Sequence, residues 1–216
     1  MNYKFSFQHI ISGLCLLFLF IGIALNFVLF FRPLYYFDVS YLDIEKYSGF
    51  SKEIIYKNYN ILIDYCSPFF SGDLVFSDIT VSEPALSHFA KVKQVFMLFH
   101  VLALGSLFYL IFTWKKAKKQ NNFSWLVTGS ITALVLPILI GFCCIFFWEK
   151  SFEIFHKIFF PGDYWLFDWN LDQIIRILPD TFFLQCAIII IISIIIFSIV
   201  TLLYGLKKCK EIFVSI

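Results

Sequence analysis

IISGLCLLFLFIGIALNFVLFF, Ile10 to Phe31, runs for 22 residues without a charge. At about 1.5 Å per residue that length crosses a hydrocarbon core of about 30 Å. It is too long for the core of a signal peptide, and no small-x-small cleavage site closes it, so it reads as a retained first membrane helix. Three more such runs follow: Val95–Trp114, Phe123–Trp148 and Phe182–Gly205. Hydrophobic residues make up 60% of the 216, and the mean hydropathy is +0.83. Such a chain is not stable in water as a monomer, and the pattern predicts a single all-α polytopic membrane domain over residues 1–216.

Charge placement sets the expected orientation. KKAKKQ (115–120) lies between the second and third runs and KKCK (207–210) follows the fourth, so the positive-inside rule puts both clusters, and Lys4, in the cytoplasm. Both termini are then cytoplasmic. The two long connections, 32–94 and 149–180, face outward and carry 14 of the 15 acidic residues, while eight of the 17 lysines and arginines sit in the short inner segments. A net charge of +2 divided in this way gives no nucleic-acid-binding surface.

Neither outer segment has the composition of a disordered linker, since both are rich in Phe, Tyr, Trp and Ile. Within the first, Ile54, Ile55, Tyr59, Leu62 and Ile63 recur at helical spacing, with Lys52, Lys57, Asn58 and Asn60 off the stripe, which predicts a helix over 51–65. Within the second, Asn170 with Gln173 three residues on resembles a capping box, and Ile174, Ile177 and Leu178 form an apolar face, which predicts a helix over 170–178. Both helices are expected to lie in the outer interface.

The six cysteines give no external pair, because Cys66 alone falls outside, so neither a disulfide nor a cysteine metal site is expected. No metal and no cofactor are implied. His100 lacks a second histidine at its depth, which argues against a bis-histidine haem, and His9 reads as an anchor beside the first span.

The remaining histidines are the candidates. In SEPALSHFAKVKQVF (82–96), Ser82 is a good N-cap and Glu83 and Pro84 suit a first turn, so a helix is expected to start here and run unbroken into the second span. His88 then stands two turns above the hydrocarbon. Lys91, one turn on, is expected to hold its imidazole neutral. In WEKSFEIFHKIFFPG (148–162) the third span is expected to continue outward, with Glu149, Glu153 and His156 on one face, until Pro161-Gly162 ends it. Glu153 would orient His156. Either histidine alone reads as an interfacial residue, but two at one height, near-neutral in pKa, mark a catalytic pair.

FHKIFFPGDYWLFDWNLDQIIRILPDTFF (155–183) and SEPALSHFAKVK (82–93), with the four-span layout and the chain length, resemble the lipoprotein intramolecular transacylase family of Gram-positive bacteria. The resemblance implies an acyltransferase of the cell membrane, acting at its outer face on a diacylglyceryl-modified lipoprotein among membrane lipids. It moves the sn-2 acyl chain to the α-amine of the terminal cysteine, giving the lyso form. The family's two catalytic histidines map onto His88 and His156. Where the family tends to carry an Asp, three residues after the first histidine, this chain has Lys91, so the resemblance leaves Glu83 or Glu153 to take over an orienting role.

The chemistry agrees. An α-amine with a pKa of about 7.7 to 8.0 needs a base to free its lone pair, and the departing glycerol alkoxide needs a proton. Tyr164, Trp165 or a backbone N–H of the second outer segment are the candidates to meet the oxyanion. Two other functions fit the same composition: a non-enzymatic membrane module, such as a lipid or peptide receptor or transporter accessory, and a hydrolase that releases the acyl chain to water.

Overall fold

The structure is a computed structural model that describes residues 6–214. Among these, nine helices follow one another: α1 (Phe7–Phe30), α2 (Pro33–Tyr41), α3 (Ile44–Ser48), α4 (Lys52–Cys66), α5 (Glu83–Gln120), α6 (Ser124–Phe146), α7 (Trp148–Phe159), α8 (Ile174–Ile177) and α9 (Asp180–Val214). Four of them, α1, α5, α6 and α9, are long and apolar enough to cross a membrane. They coincide with the four uncharged runs, and α5 and α9 extend well past them. The chain is an all-α membrane protein with four membrane-crossing helices. The chain divides into two compact units: one comprises the chain up to Leu25, Phe99–Phe146 and the chain from Ile188, and the other comprises Asn26–Leu98 with Phe147–Ala187.

The first unit is a helix bundle. Leu16, Leu17, Phe20, Leu110, Trp125, Leu126, Ala133 and Ile194 are buried in its centre. Helix α1 comes so close to α6 that a Cβ on Gly13 would stand 2.6 Å from Thr132 Cβ and 2.8 Å from the Gly129 carbonyl oxygen. Small residues at such crossings let backbones approach without a hydrophobic driving force, which lipid does not supply.

The second unit has a core of its own. Tyr35, Ile55, Tyr59, Ile174 and Ile177 are almost fully excluded from solvent. The Tyr35 and Tyr59 rings stack at 3.7 Å, and the Tyr35 hydroxyl donates to the Ile177 carbonyl at 2.6 Å. Tyr35 comes from α2, which starts at Pro33, a residue whose fixed φ suits a first turn. Helix α4 is capped by Ser51, whose Oγ accepts from Ile54 N at 3.5 Å.

Three expectations are corrected here. Asn58, read as lying off the apolar stripe of α4, is fully buried: its amide donates to the carbonyls of Ile54 and Ser77 and accepts from Ser77 N, so it fastens the loop before α5. The helix expected over 170–178 shrinks to the four residues of α8, because Gln173 does not cap it locally; the Gln173 side chain accepts from Thr80 N at 2.8 Å, and its N–H donates back to the Thr80 carbonyl at 2.9 Å. Both α4 and α8 contribute buried side chains to this core. Finally, the third span does not continue outward as one helix. Phe147, at φ −140 and ψ 51, separates α6 from α7.

Candidate active site

Helix α5 starts as the sequence suggests. Ser82 Oγ accepts from Ala85 N at 3.4 Å and its carbonyl accepts from Leu86 N, satisfying donors that a first turn leaves orphaned. Two turns in, His88 is 6% exposed; His156, near the end of α7, is 9% exposed. Both values mark buried side chains rather than interfacial anchors. Their imidazole rings lie 5.8 Å apart, centroid to centroid, with planes inclined by 21°.

Aromatic rings enclose the pair. The Phe160 ring stands edge-on to His88 at 4.7 Å and lies 5.4 Å from His156. Phe167 meets His88 at 5.3 Å, while Phe152 and Trp165 lie 4.0 and 4.9 Å from His156. In a shell of this kind two imidazolium ions would repel each other with little solvent to screen them, so at most one ring carries a charge at a time.

The protons of His156 follow from its partner. Its Nδ1 lies 2.8 Å from the Phe152 carbonyl oxygen one turn back. A carbonyl only accepts, so Nδ1 bears the hydrogen and Nε2 presents a lone pair. Burial lowers the His156 pKa from its ordinary value, and the bond to the Phe152 carbonyl opposes that shift. His88 differs, since its buried Nδ1 has no hydrogen-bond partner.

Of the other sequence candidates, Glu153 is corrected: it does not orient His156. Its carboxylate is taken by Lys150 and Lys157, whose hydrogen bonds hold it well below the usual range, at about 2. Glu83 is exposed on the first turn of α5, and no hydrogen bond or ion pair joins it to either imidazole. Lys91 turns its ammonium over the ring of Tyr164, 4.2 Å from the centroid. Trp165 packs on His156 with the two ring planes inclined by 35°.

Sequence reasoning missed Asp172. It is buried, and its two carboxylate oxygens accept from Ser82 N at 2.8 Å and Asp168 N at 2.9 Å. It thereby fixes the start of the His88 helix to the end of the segment that carries Trp165 and Phe167. The spacing Asp168-x-x-x-Asp172 was visible but its partner Ser82, 90 residues away, was not. Among the described residues no three His, Cys, Asp or Glu side chains converge on a point where a metal ion would sit, and the six cysteines are free thiols.

The model of the lipoprotein intramolecular transacylase family, Lit, matches residues 10–183. Among curated protein sequences none matches this chain. Among solved structures, that of the membrane-integral lipoprotein intramolecular transacylase Lit from Bacillus cereus superposes with a TM-score of 0.89 at 30% identity, covering 94% of each chain. Two single-histidine variants of the same protein also match. The arginine variant does so with a TM-score of 0.85 at 29% identity over 96% of this chain and 93% of that one. The alanine variant gives 0.84 at 29%, over 94% and 92%. With most of its length matched by the family model and its fold shared over 94% of each chain, the chain belongs to the lipoprotein intramolecular transacylase family, a family of membrane-integral acyltransferases.

Proposed function

We propose that this chain moves the sn-2 acyl chain of a diacylglyceryl-modified lipoprotein from its glycerol oxygen to the α-amine of the same molecule's terminal cysteine, using His156 to carry the proton and His88 to steady the oxyanion. The observation that carries this reading is the buried imidazole pair, 5.8 Å apart, with the tautomer of His156 set by the Phe152 carbonyl. The amine attacks the ester carbonyl and its proton passes to Nε2 of His156. The resulting imidazolium keeps its Nδ1–H on the Phe152 carbonyl, which supports the charge. As the C–O bond breaks, the same proton goes from Nε2 to the leaving alkoxide, so the enzyme ends as it began and an amide replaces an ester.

His88 suits the complementary task. It lacks an acceptor for a second proton at Nδ1, so it stays neutral, and its single N–H is available to the oxyanion in a shell that excludes water. Donor and acceptor share one molecule, and well-oriented intramolecular attack is worth an effective molarity of about 10⁵ to 10⁸ M. No acyl carrier, metal or cofactor takes part. The outer segments 32–94 and 149–180 carry the site on the extracytoplasmic side of the cell membrane, where such lipoproteins and membrane lipids are met.

An N-acetylated but otherwise identical diacylglyceryl lipopeptide tests the nucleophile. It is expected to bind and remain unconverted, while the free-amine form yields the lyso product by mass spectrometry. Free fatty acid from the N-acetylated form would establish hydrolysis instead, and unchanged substrate in both cases would establish a non-enzymatic module. For the topology, Ser87→Cys and Ser151→Cys are expected to react with an impermeant thiol reagent in intact cells and Lys118→Cys is not.

A further inference from the structure

From the His88 helix the Lys91 ammonium reaches the ring of Tyr164, in the middle of the segment 161–167. That segment leaves α7 at Phe160 and turns at Gly162, whose φ of +97 lies in the left-handed region. The Tyr164 ring folds back over this turn, so that a Cβ on Gly162 would stand 3.1 Å from it. The same ring takes the Lys91 ammonium, 4.2 Å from its centroid. Tyr164 is nevertheless 47% exposed, so burial does not account for its position.

The residues that follow Tyr164 form one wall of the site. Trp165 lies on His156, and Phe167 lies on His88 and, at 5.6 Å, on Phe89. Beyond them Asp172 pins the far end of the segment to Ser82. Between Phe160 and Asp168 the backbone closes on itself through one turn bond, Leu166 N to the Asp163 carbonyl at 3.0 Å. The wall is thus pinned at both ends and depends in its middle on side-chain contacts.

We propose that Lys91 and Tyr164 form a cation–π clasp that positions Trp165 and Phe167 against the two imidazoles, making both positioning residues for the acyl transfer. The inference rests on the function proposed above, because it assigns a part in that reaction. The clasp acts through the wall, not on the substrate. Opening it lets water and side-chain motion into the shell around His156, and the rate falls by the fraction of time the wall stands open.

The test compares Lys91→Met, Tyr164→Leu and the double variant with the conservative pair Lys91→Arg and Tyr164→Phe, which keep a cation and a ring. An exposed contact of this kind corresponds to a loss of about 2- to 6-fold. Each disruptive single variant is expected to lose that factor in kcat with KM little changed. The double variant is expected to lose no more than either, and the conservative pair to keep most of the rate. Hydrogen exchange of the 161–167 amides, measured on the substrate-free protein, is expected to rise in the disruptive variants alone.

Four results would overturn the clasp. A multiplicative double variant would mean two separate roles. Loss of rate in Tyr164→Phe equal to that in Tyr164→Leu would assign the work to the hydroxyl. Loss of rate in Lys91→Arg equal to that in Lys91→Met would mean that a cation over the ring is not what holds the wall. Unchanged exchange in all variants would mean the wall does not need the contact. If wild-type protein gives no lyso product, the function reading fails separately, and exchange alone decides whether the clasp holds the wall.

Discussion

Replacing His156 by Asn separates proton transfer from packing. An asparagine amide reaches about as far as Nδ1 and can keep the hydrogen bond to the Phe152 carbonyl, 2.8 Å in the native site, but it has nothing at the position of Nε2. In the proposed reaction the base is lost and the local tie is kept. Loss of a general base typically costs about 10² to 10⁴ in rate, equivalent to about 2.7 to 5.4 kcal/mol of transition-state stabilisation. The effect should appear in kcat rather than KM, since the group touches substrate only as the proton moves. His88→Asn removes the oxyanion partner and is expected to lose a similar 10² to 10³. The double variant should fall far short of the product of the two, because residues acting as one unit are not additive. Conversion of a synthetic diacylglyceryl lipopeptide to its lyso form, followed by mass spectrometry in detergent or liposomes, measures all three. Wild-type turnover in His156→Asn would refute the shuttle outright, and strictly multiplicative losses would refute the coupling.

Other outcomes follow from the same coordinates. Burial lowers the His156 pKa, so at this group the folded protein binds fewer protons than the unfolded chain below about pH 6.5; its share of the stability is complete above that value and is lost as the pH falls, and His156→Asn should lessen, not abolish, the decline in thermal unfolding. Asp172→Ala removes two charge-assisted acceptors from the backbone N–H groups of Ser82 and Asp168, each bond worth about 1.5 to 3 kcal/mol, and should lower the unfolding midpoint clearly more than Glu153→Ala does. Gly13→Ala places a methyl within 2.6 Å of Thr132 and should cost about 1 to 3 kcal/mol in the bundle, whereas Gly105→Ala, inside α5 with open space around it, should leave the thermal midpoint unchanged or raise it. Turnover is expected to survive exhaustive EDTA treatment, and a loss restored by Zn²⁺ would replace acid–base chemistry with a metal site.

The membrane helices were legible because the hydrocarbon core demands a length that only long uncharged runs can meet, and Ile10–Phe31 meets it alone. The start of α5 at Ser82 was legible because capping is local. Other features failed for one physical reason: their partners are remote or compete. Gln173 could cap Asn170, but Thr80 offers it two backbone bonds. Glu153 stands one turn from both His156 and Lys157, and a full cation nearby, doubled by Lys150, outcompetes a neutral imidazole. Helices α2 and α3 escaped because their aromatic and polar residues follow no clear period. The histidines were legible as a residue type suited to neutral-pH proton transfer, yet nothing in the chain gave the 5.8 Å between their rings.

Helix α5 runs unbroken from Glu83 to Gln120, and His88 lies seven residues before the apolar run that opens at Val95. Phe152, Phe160, Trp165 and Phe167 surround the two imidazoles with rings. An acyl ester brought to that pair by the proposed reaction would meet walls that resemble hydrocarbon more than water, so the first carbons of its chain could leave the lipid without becoming hydrated.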